Sequence, residues 1–135
     1  MASIFSRIVT GEIPSLKVAE NDRFLAFLDI SPIAYGHTLV IPKEEIDYIF
    51  HIPDPLLADL ITFSKQVALA IEDVIPCKRI GIAVIGLEVP HAHIHLVPLQ
   101  TIYDIDFKKP KLKFSMEELK SIADNIAASY LKHSS

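Results

Sequence analysis

The sequence predicts an α+β domain: a mainly antiparallel sheet of about five strands with two main helices. Three observations predict it. Short segments that are β-branched or alternate apolar with polar residues recur along the chain, with hairpin-length connections early on. Two longer segments repeat apolar residues at helical spacing. The chain has 135 residues and is 50% apolar, the size of one ordinary domain, spanning 1–135. A chain of this length buries roughly two thirds of its unfolded surface, enough for a core without staples.

The elements follow in order. Ile4-Phe5 and Ile8-Val9 are apolar pairs four residues apart, ended by Gly11 and Pro14, which predicts one short helix. Leu16 to Glu20 alternates, Asn21-Asp22 supplies a turn, and Phe24 to Leu28 is a mostly apolar run, so the two form a hairpin. Asp29-Ile30-Ser31-Pro32 ends the second strand, and Tyr35-Gly36 keeps the loop irregular. His37 to Pro42 is the third strand, closed by its proline. Asp54-Pro55 starts a helix, with Asp54 as N-cap and Pro55 at the first helical position, and one apolar face runs on to Pro76. Arg79 to Gly86 is β-branched and apolar, which predicts a well-buried strand. His91 to Pro98 alternates and is the next strand. The last helix begins at Ser115, where Ser115 and Glu118 form a capping box and Phe114 and Leu119 a hydrophobic staple. The lysine-rich stretch Asp104 to Lys113 is expected to be a mobile loop, whose part Lys108 to Lys113 either closes over substrate or, on the plainer reading, floats in solvent.

Composition excludes several functions. A net charge of −4 and a pI of about 5.8 argue against a nucleic-acid groove that works by bulk charge. A single cysteine, Cys77, excludes an internal disulfide framework and a multi-cysteine zinc site. The longest apolar stretch, Ile80 to Leu87, is far short of the ~20 residues a spanning helix needs. With no membrane segment, no export signal and one thiol, the expected setting is a reducing cytoplasm.

Six histidines are present, and His91, His93 and His95 fall within five residues. On a strand they share one face at roughly 6.6 Å intervals, while Ala92, Ile94 and Leu96 point to the other, into the core. Three imidazoles on one face point to chemistry rather than to packing. One chemistry is a metal site, with Asp29, Glu88 and His37 as further ligands. Against it, the chain lacks an acidic or cysteine cluster, and the three imidazoles cannot all converge without distorting a strand. The other is phosphate chemistry. Imidazole is a competent nucleophile at neutral pH, and a neighbouring imidazolium donates hydrogen bonds to phosphate oxygens. His51 and His133 are expected at the surface.

The alternating histidines followed by two apolar residues resemble the signature of the histidine triad (HIT) proteins, in their Hint-like branch. Ile4-Phe5 with Gly11-Glu12-Ile13-Pro14, Phe27 to Pro32, and His37 to Lys43 resemble further blocks of that family in the same order. The resemblance implies a HIT-like fold and a nucleotide hydrolase or transferase, in a homodimer whose two sheets join into one. Arg79 to Gly86, apolar on both faces, would serve that association. The resemblance makes His93 the nucleophile on the α-phosphate, forming a nucleotidyl-histidine that water resolves. His95 would polarise the phosphate oxygens, and His91 and His37 would complete the histidine cluster that fixes tautomers. Asp29 matches the ribose-binding carboxylate, its two oxygens suiting two vicinal hydroxyls. Ile4, Phe5, Ile8, Leu28 and Ile30 would wall the base, and Glu88 and Val89 join the expected substrate-binding set.

The stretch Ile82 to Pro90 departs from the family pattern. It lacks the usual Asn and Gln and is shorter, Leu87 replaces a polar contact to the phosphates, and Glu88 would repel them unless turned away. The expected substrate is a purine nucleoside phosphoramidate, followed by a dinucleoside polyphosphate, with no cofactor or metal. The rival reading is a nucleotide-binding regulatory protein with little turnover. A metal-dependent hydrolase comes third.

Overall fold

The structure, a computed structural model, describes residues 2–133. Helix α1 (Ile4–Val9) leads into strands β1 (Lys17–Glu20), β2 (Phe24–Leu28) and β3 (Thr38–Pro42). Helix α2 (Asp54–Val74), strands β4 (Arg79–Ala83) and β5 (Ile94–Leu99), and helix α3 (Met116–His133) complete the chain. The five strands form one antiparallel sheet in the order β1-β2-β3-β5-β4. The expected α+β architecture, with five strands and two main helices, is the observed one.

Alternation sorts the side chains between the two faces of the sheet. Phe24, Ala26, Leu28, Val40, Ile94 and Leu96 join one core with Leu60, Phe63, Val67 and Ile71 of α2 and Leu119, Ile122 and Ile126 of α3. Leu25, Phe27, Leu39 and Ile41 face the opposite way and meet Phe5 and Ile8 of α1. Both faces are therefore covered, and β2 and β3 are buried along their whole length. The hairpin turn forms as expected, because the Asn21 side-chain oxygen accepts from the N–H groups of Arg23 and Phe24. The capping box at α3 also forms, with Glu118 N–H donating to the Ser115 hydroxyl at 3.0 Å and Ser115 N–H to the Glu118 carboxylate at 3.3 Å.

Four expectations are corrected. Helix α2 begins one residue earlier than its expected cap: Pro53 is the N-cap, Asp54 lies inside the first turn, and no side chain caps the helix. Asp54 still places negative charge at the positive end of the helix dipole. The segment Arg79 to Gly86 is not a well-buried strand. Only Arg79–Ala83 pairs, and as the edge of the sheet it leaves Ile82 and the following Val84 and Ile85 exposed. The strand after it begins at Ile94, because its ladder with β3 starts at the Val40–Ile94 pair, so His91 to His93 precede it. The Asp104 to Lys113 stretch is not free in solvent. Thr101 and Asp104 cap a 3₁₀ turn over Ile102–Ile105, and Leu112 N–H donates to the Pro32 carbonyl at 2.8 Å. No helix among the described residues is long and apolar enough to cross a membrane.

Candidate functional site

A cavity of about 330 Å³ opens on the face of the sheet that carries α1. His37, Leu39, His93 and His95 lie along the sheet side, with Asp29 at the end of β2. Ile85 to Val89 form one wall, Phe5 contributes from α1, and Phe107 and Lys111 come from the loop before α3. The register explains the meeting of distant histidines. Leu39 sits opposite His95 in the β3–β5 ladder, so His37, two residues before Leu39, presents its ring on the same face as His95.

The hydrogen bonds assign a proton to each ring. Ile33 N–H donates to His37 Nδ1 at 3.2 Å, so neutral His37 carries its proton on Nε2. That Nε2 lies 3.0 Å from His95 Nδ1 and donates to it, which leaves the His95 proton on its own Nε2. On the other branch, His93 Nδ1 donates to the His91 carbonyl at 2.8 Å, leaving a lone pair on His93 Nε2. His91 Nε2 donates to the Pro42 carbonyl at 2.7 Å, and its Nδ1 accepts from the Ser3 hydroxyl at 2.9 Å. No buried side-chain nitrogen or oxygen among the described residues lacks a partner, so the unbonded Nε2 atoms of His93 and His95 are open to the cavity. The site therefore presents one acceptor nitrogen and one N–H donor on adjacent rings, whose centroids are 4.9 Å apart.

Burial lowers the pKa of three of these rings. It pushes His37 down to about 3 and His95 down to about 4, and the mutual repulsion of the histidines adds to it. His91 is lowered as well, chiefly by burial. The Asp29 carboxyl is raised, because burial outweighs the hydrogen bond its Oδ1 accepts from Ser31 N–H at 2.8 Å. Its Oδ2 stands 3.8 Å from His37 Nε2.

Asp29, His37 and His95 are the group that could hold a metal ion, with donor atoms within 4.8 Å of one another. Glu88, a ligand in the sequence-based metal set, is not part of that group. His37 and His95 already spend a nitrogen each on their mutual bond, which a cation would have to break.

Of the expected site residues, His37, His93, His95, Asp29, Phe5, Glu88 and Val89 line the cavity. His91 stands behind them, fully buried, and acts through its carbonyl. Four residues expected to wall the base do not line the cavity. Leu28 points to the helix side of the sheet, because it alternates with Phe27. Ile8 is packed under α1 against the sheet. Ile30, next to Asp29, is 64% exposed. Ile4, also expected there, is exposed on the outer side of α1.

Two groups escaped the sequence reading. Phe107 packs edge-on to His95 at 4.6 Å and to His37 at 6.2 Å, and Lys111 sits 5.9 Å from the Phe107 ring. An aromatic inside a lysine-rich run was the available signal. Ser3, Ser6 and Glu45 form a clamp behind His91: Ser3 N–H and the Ser6 hydroxyl both donate to Glu45 Oε1 at 2.6 Å. These bonds hold the Glu45 carboxyl down at about 2. Nothing in the sequence pattern linked Glu45 to a helix 42 residues away.

Comparison with known proteins gives the family. The model of the HIT domain matches residues 10–102. The chain is 36% identical over 131 residues to adenosine 5′-monophosphoramidase hnt1 of Schizosaccharomyces pombe, covering 95% of this chain and 98% of that one. The fold is similar to the crystal structure of a HIT-like protein from Bartonella henselae, with a TM-score of 0.81 and 29% identity over 94% of this chain and 95% of that chain. A HIT family protein from Bacillus subtilis superposes with a TM-score of 0.73 at 33% identity, over 95% and 96% of the two chains. A histidine cluster on adjoining strands, in this fold and with these relatives, places the chain in the HIT domain family.

Proposed function

We propose that the protein is a nucleotide hydrolase that cleaves purine nucleoside phosphoramidates at the α-phosphate through a nucleotidyl-histidine on His93. The observation that carries the reading is the proton assignment: His93 Nδ1–H is held by the His91 carbonyl, which leaves Nε2 as the nucleophile. Attack forms a bond from His93 Nε2 to phosphorus and breaks the phosphorus–amine bond. The amine leaves with a proton from water at the open mouth. The nucleotidylated ring carries positive charge, and its Nδ1–H to carbonyl bond strengthens accordingly. His95 Nε2–H donates to a phosphate oxygen as charge builds there. Water then attacks the phosphorus and gives up a proton to solvent, matching the one the amine took, which returns His93 and releases the nucleoside monophosphate. Asp29 Oδ2 accepts from a ribose hydroxyl, while its Oδ1 stays with Ser31. The monophosphoramidase named among the relatives supports the substrate class.

A second reading, a nucleotide-binding protein with little turnover, draws on one observation. The wall Ile85 to Val89 offers Glu88 as its single polar side chain, and Leu87 is 88% exposed. The same wall could instead suit a dinucleoside polyphosphate. Turnover separates the readings. The proposal expects release of AMP from adenosine 5′-phosphoramidate by the wild type and at least a thousandfold loss in His93→Ala. AMP binding without turnover on any nucleotide conjugate sinks it in favour of the binding protein.

A homodimer through β4 belongs to the same proposal. Strand β4 ends the sheet, and exposed Ile82, Val84 and Ile85 adjoin its free edge, the pattern of a strand that pairs with another chain.

A further inference from the structure

The charges around the cavity pose a problem for an anionic ligand. Among the described residues that line it, the carboxylates are Asp29 and Glu88. The imidazoles of His37 and His95 are neutral, because burial holds them well below their ordinary range. The wall before the histidines supplies aliphatic side chains where a phosphate site needs donors. An ionised phosphate entering this space would meet negative charge on two sides and only neutral donors on the sheet.

Lys111 is the one lysine or arginine among the described residues that line the cavity. Its ammonium makes no salt bridge with any described residue and lies 5.9 Å from the face of Phe107. Phe107 in turn rests on His95, the ring whose N–H opens into the cavity. The adjoining residue Leu112 donates its N–H to the Pro32 carbonyl at 2.8 Å, which anchors the loop beside the lysine. Its field reaches Asp29, His37 and His95.

We propose that Lys111 is the phosphate-charge residue of this site, the cation that pairs with the ligand's phosphate beside His95 and offsets Asp29 and Glu88. The proposal rests on the nucleotide reading above and adds the residue that selects an anionic over a neutral ligand. A lysine suits the role as a point charge on a flexible stem, able to follow the phosphate as the bond to His93 forms and breaks.

Calorimetry with AMP and with adenosine tests it on wild type, Lys111→Met, Lys111→Arg, and Lys113→Met as a control in the same loop. Lys111→Met is expected to lose about tenfold or more in AMP affinity, as for a lost hydrogen bond to a charged group. Its adenosine affinity should stay at the wild-type value. Lys111→Arg should retain most AMP affinity, Lys113→Met all of it, and the wild-type advantage for AMP should shrink with added salt. AMP affinity unchanged in Lys111→Met overturns the assignment while leaving the nucleotide site standing. A wild type that binds no AMP overturns the nucleotide reading, and this assignment with it.

Discussion

Proton placement on four imidazoles is what the site depends on most, and it is set by a chain of hydrogen bonds that runs back into the backbone. The Ile33 N–H fixes His37, His37 fixes His95, and the chain ends as a donor in the cavity. His37→Ala tests this chain. It leaves the Ile33 N–H unpaired and a void among buried groups, at about 2–4 kcal/mol of stability in urea unfolding. It also frees His95 to take the wrong tautomer, with turnover down tenfold or more while KM changes little. An unchanged turnover would show that His95 needs no orienting partner. These roles were partly legible in the sequence. Alternation anticipated that His93 and His95 meet at the cavity, but not that His91, which lies outside the strand, stands behind them. Where Phe107 and Lys111 point was not legible, since a loop has no period from which to deduce it.

Among the elements, β5 and α1 do the positioning. Strand β5 packs Ile94 and Leu96 into the helix-side core and turns His95 to the cavity, so the pattern that folds the sheet also aims the chemistry. Helix α1 has only six residues, too few to be stable alone, and depends on the Ser3–Glu45 clamp and on Phe5 and Ile8 beneath it. Glu45→Ala should therefore loosen α1 before it loosens anything else. The expected result is faster amide hydrogen exchange over Ile4–Val9, with core strands β2 and β3 as protected as before. Exchange in α1 equal to wild type would remove the clamp from the account. The hairpin turn and last helix cap were readable because local chemistry dictates them. The burial of β4 was misjudged for a physical reason: a β-branched run looks the same in a core strand and at an apolar sheet edge. The cap of α2 was misplaced by one residue because a proline in the extended conformation ends the preceding loop without a side-chain bond.

For the molecule as a whole, the buried histidines tie stability to pH. Unfolded imidazoles titrate near 6.5, whereas the native chain holds His37 near 3 and His95 near 4. Below 6.5 the unfolded chain takes up protons that the native chain does not, so stability is full above that value and declines as pH falls toward the native ones. Asp29, raised by burial, acts in the opposite sense, and its ordinary value of 3.8 lies below most of this window. The unfolding free energy from urea titration should be flat from pH 8 to 7 and lower by pH 5, by on the order of 4 kcal/mol for the two imidazoles together, with the midpoint falling accordingly. Equal midpoints at pH 7 and pH 5 would contradict the neutral assignment. Sedimentation tests the other whole-molecule property, with a dimer expected for the wild type and a monomer for Ile82→Lys; a wild-type monomer at micromolar concentration contradicts pairing through β4. The proposed function makes one nitrogen, His93 Nε2, the reactive one. Mass spectrometry of the intact chain, quenched within milliseconds of mixing with adenosine 5′-phosphoramidate, tests that assignment most directly. The account predicts a transient gain of one AMP moiety, mapped to His93 and absent from His93→Ala. AMP release by His93→Ala at the wild-type rate, with no adduct on either protein, would contradict it.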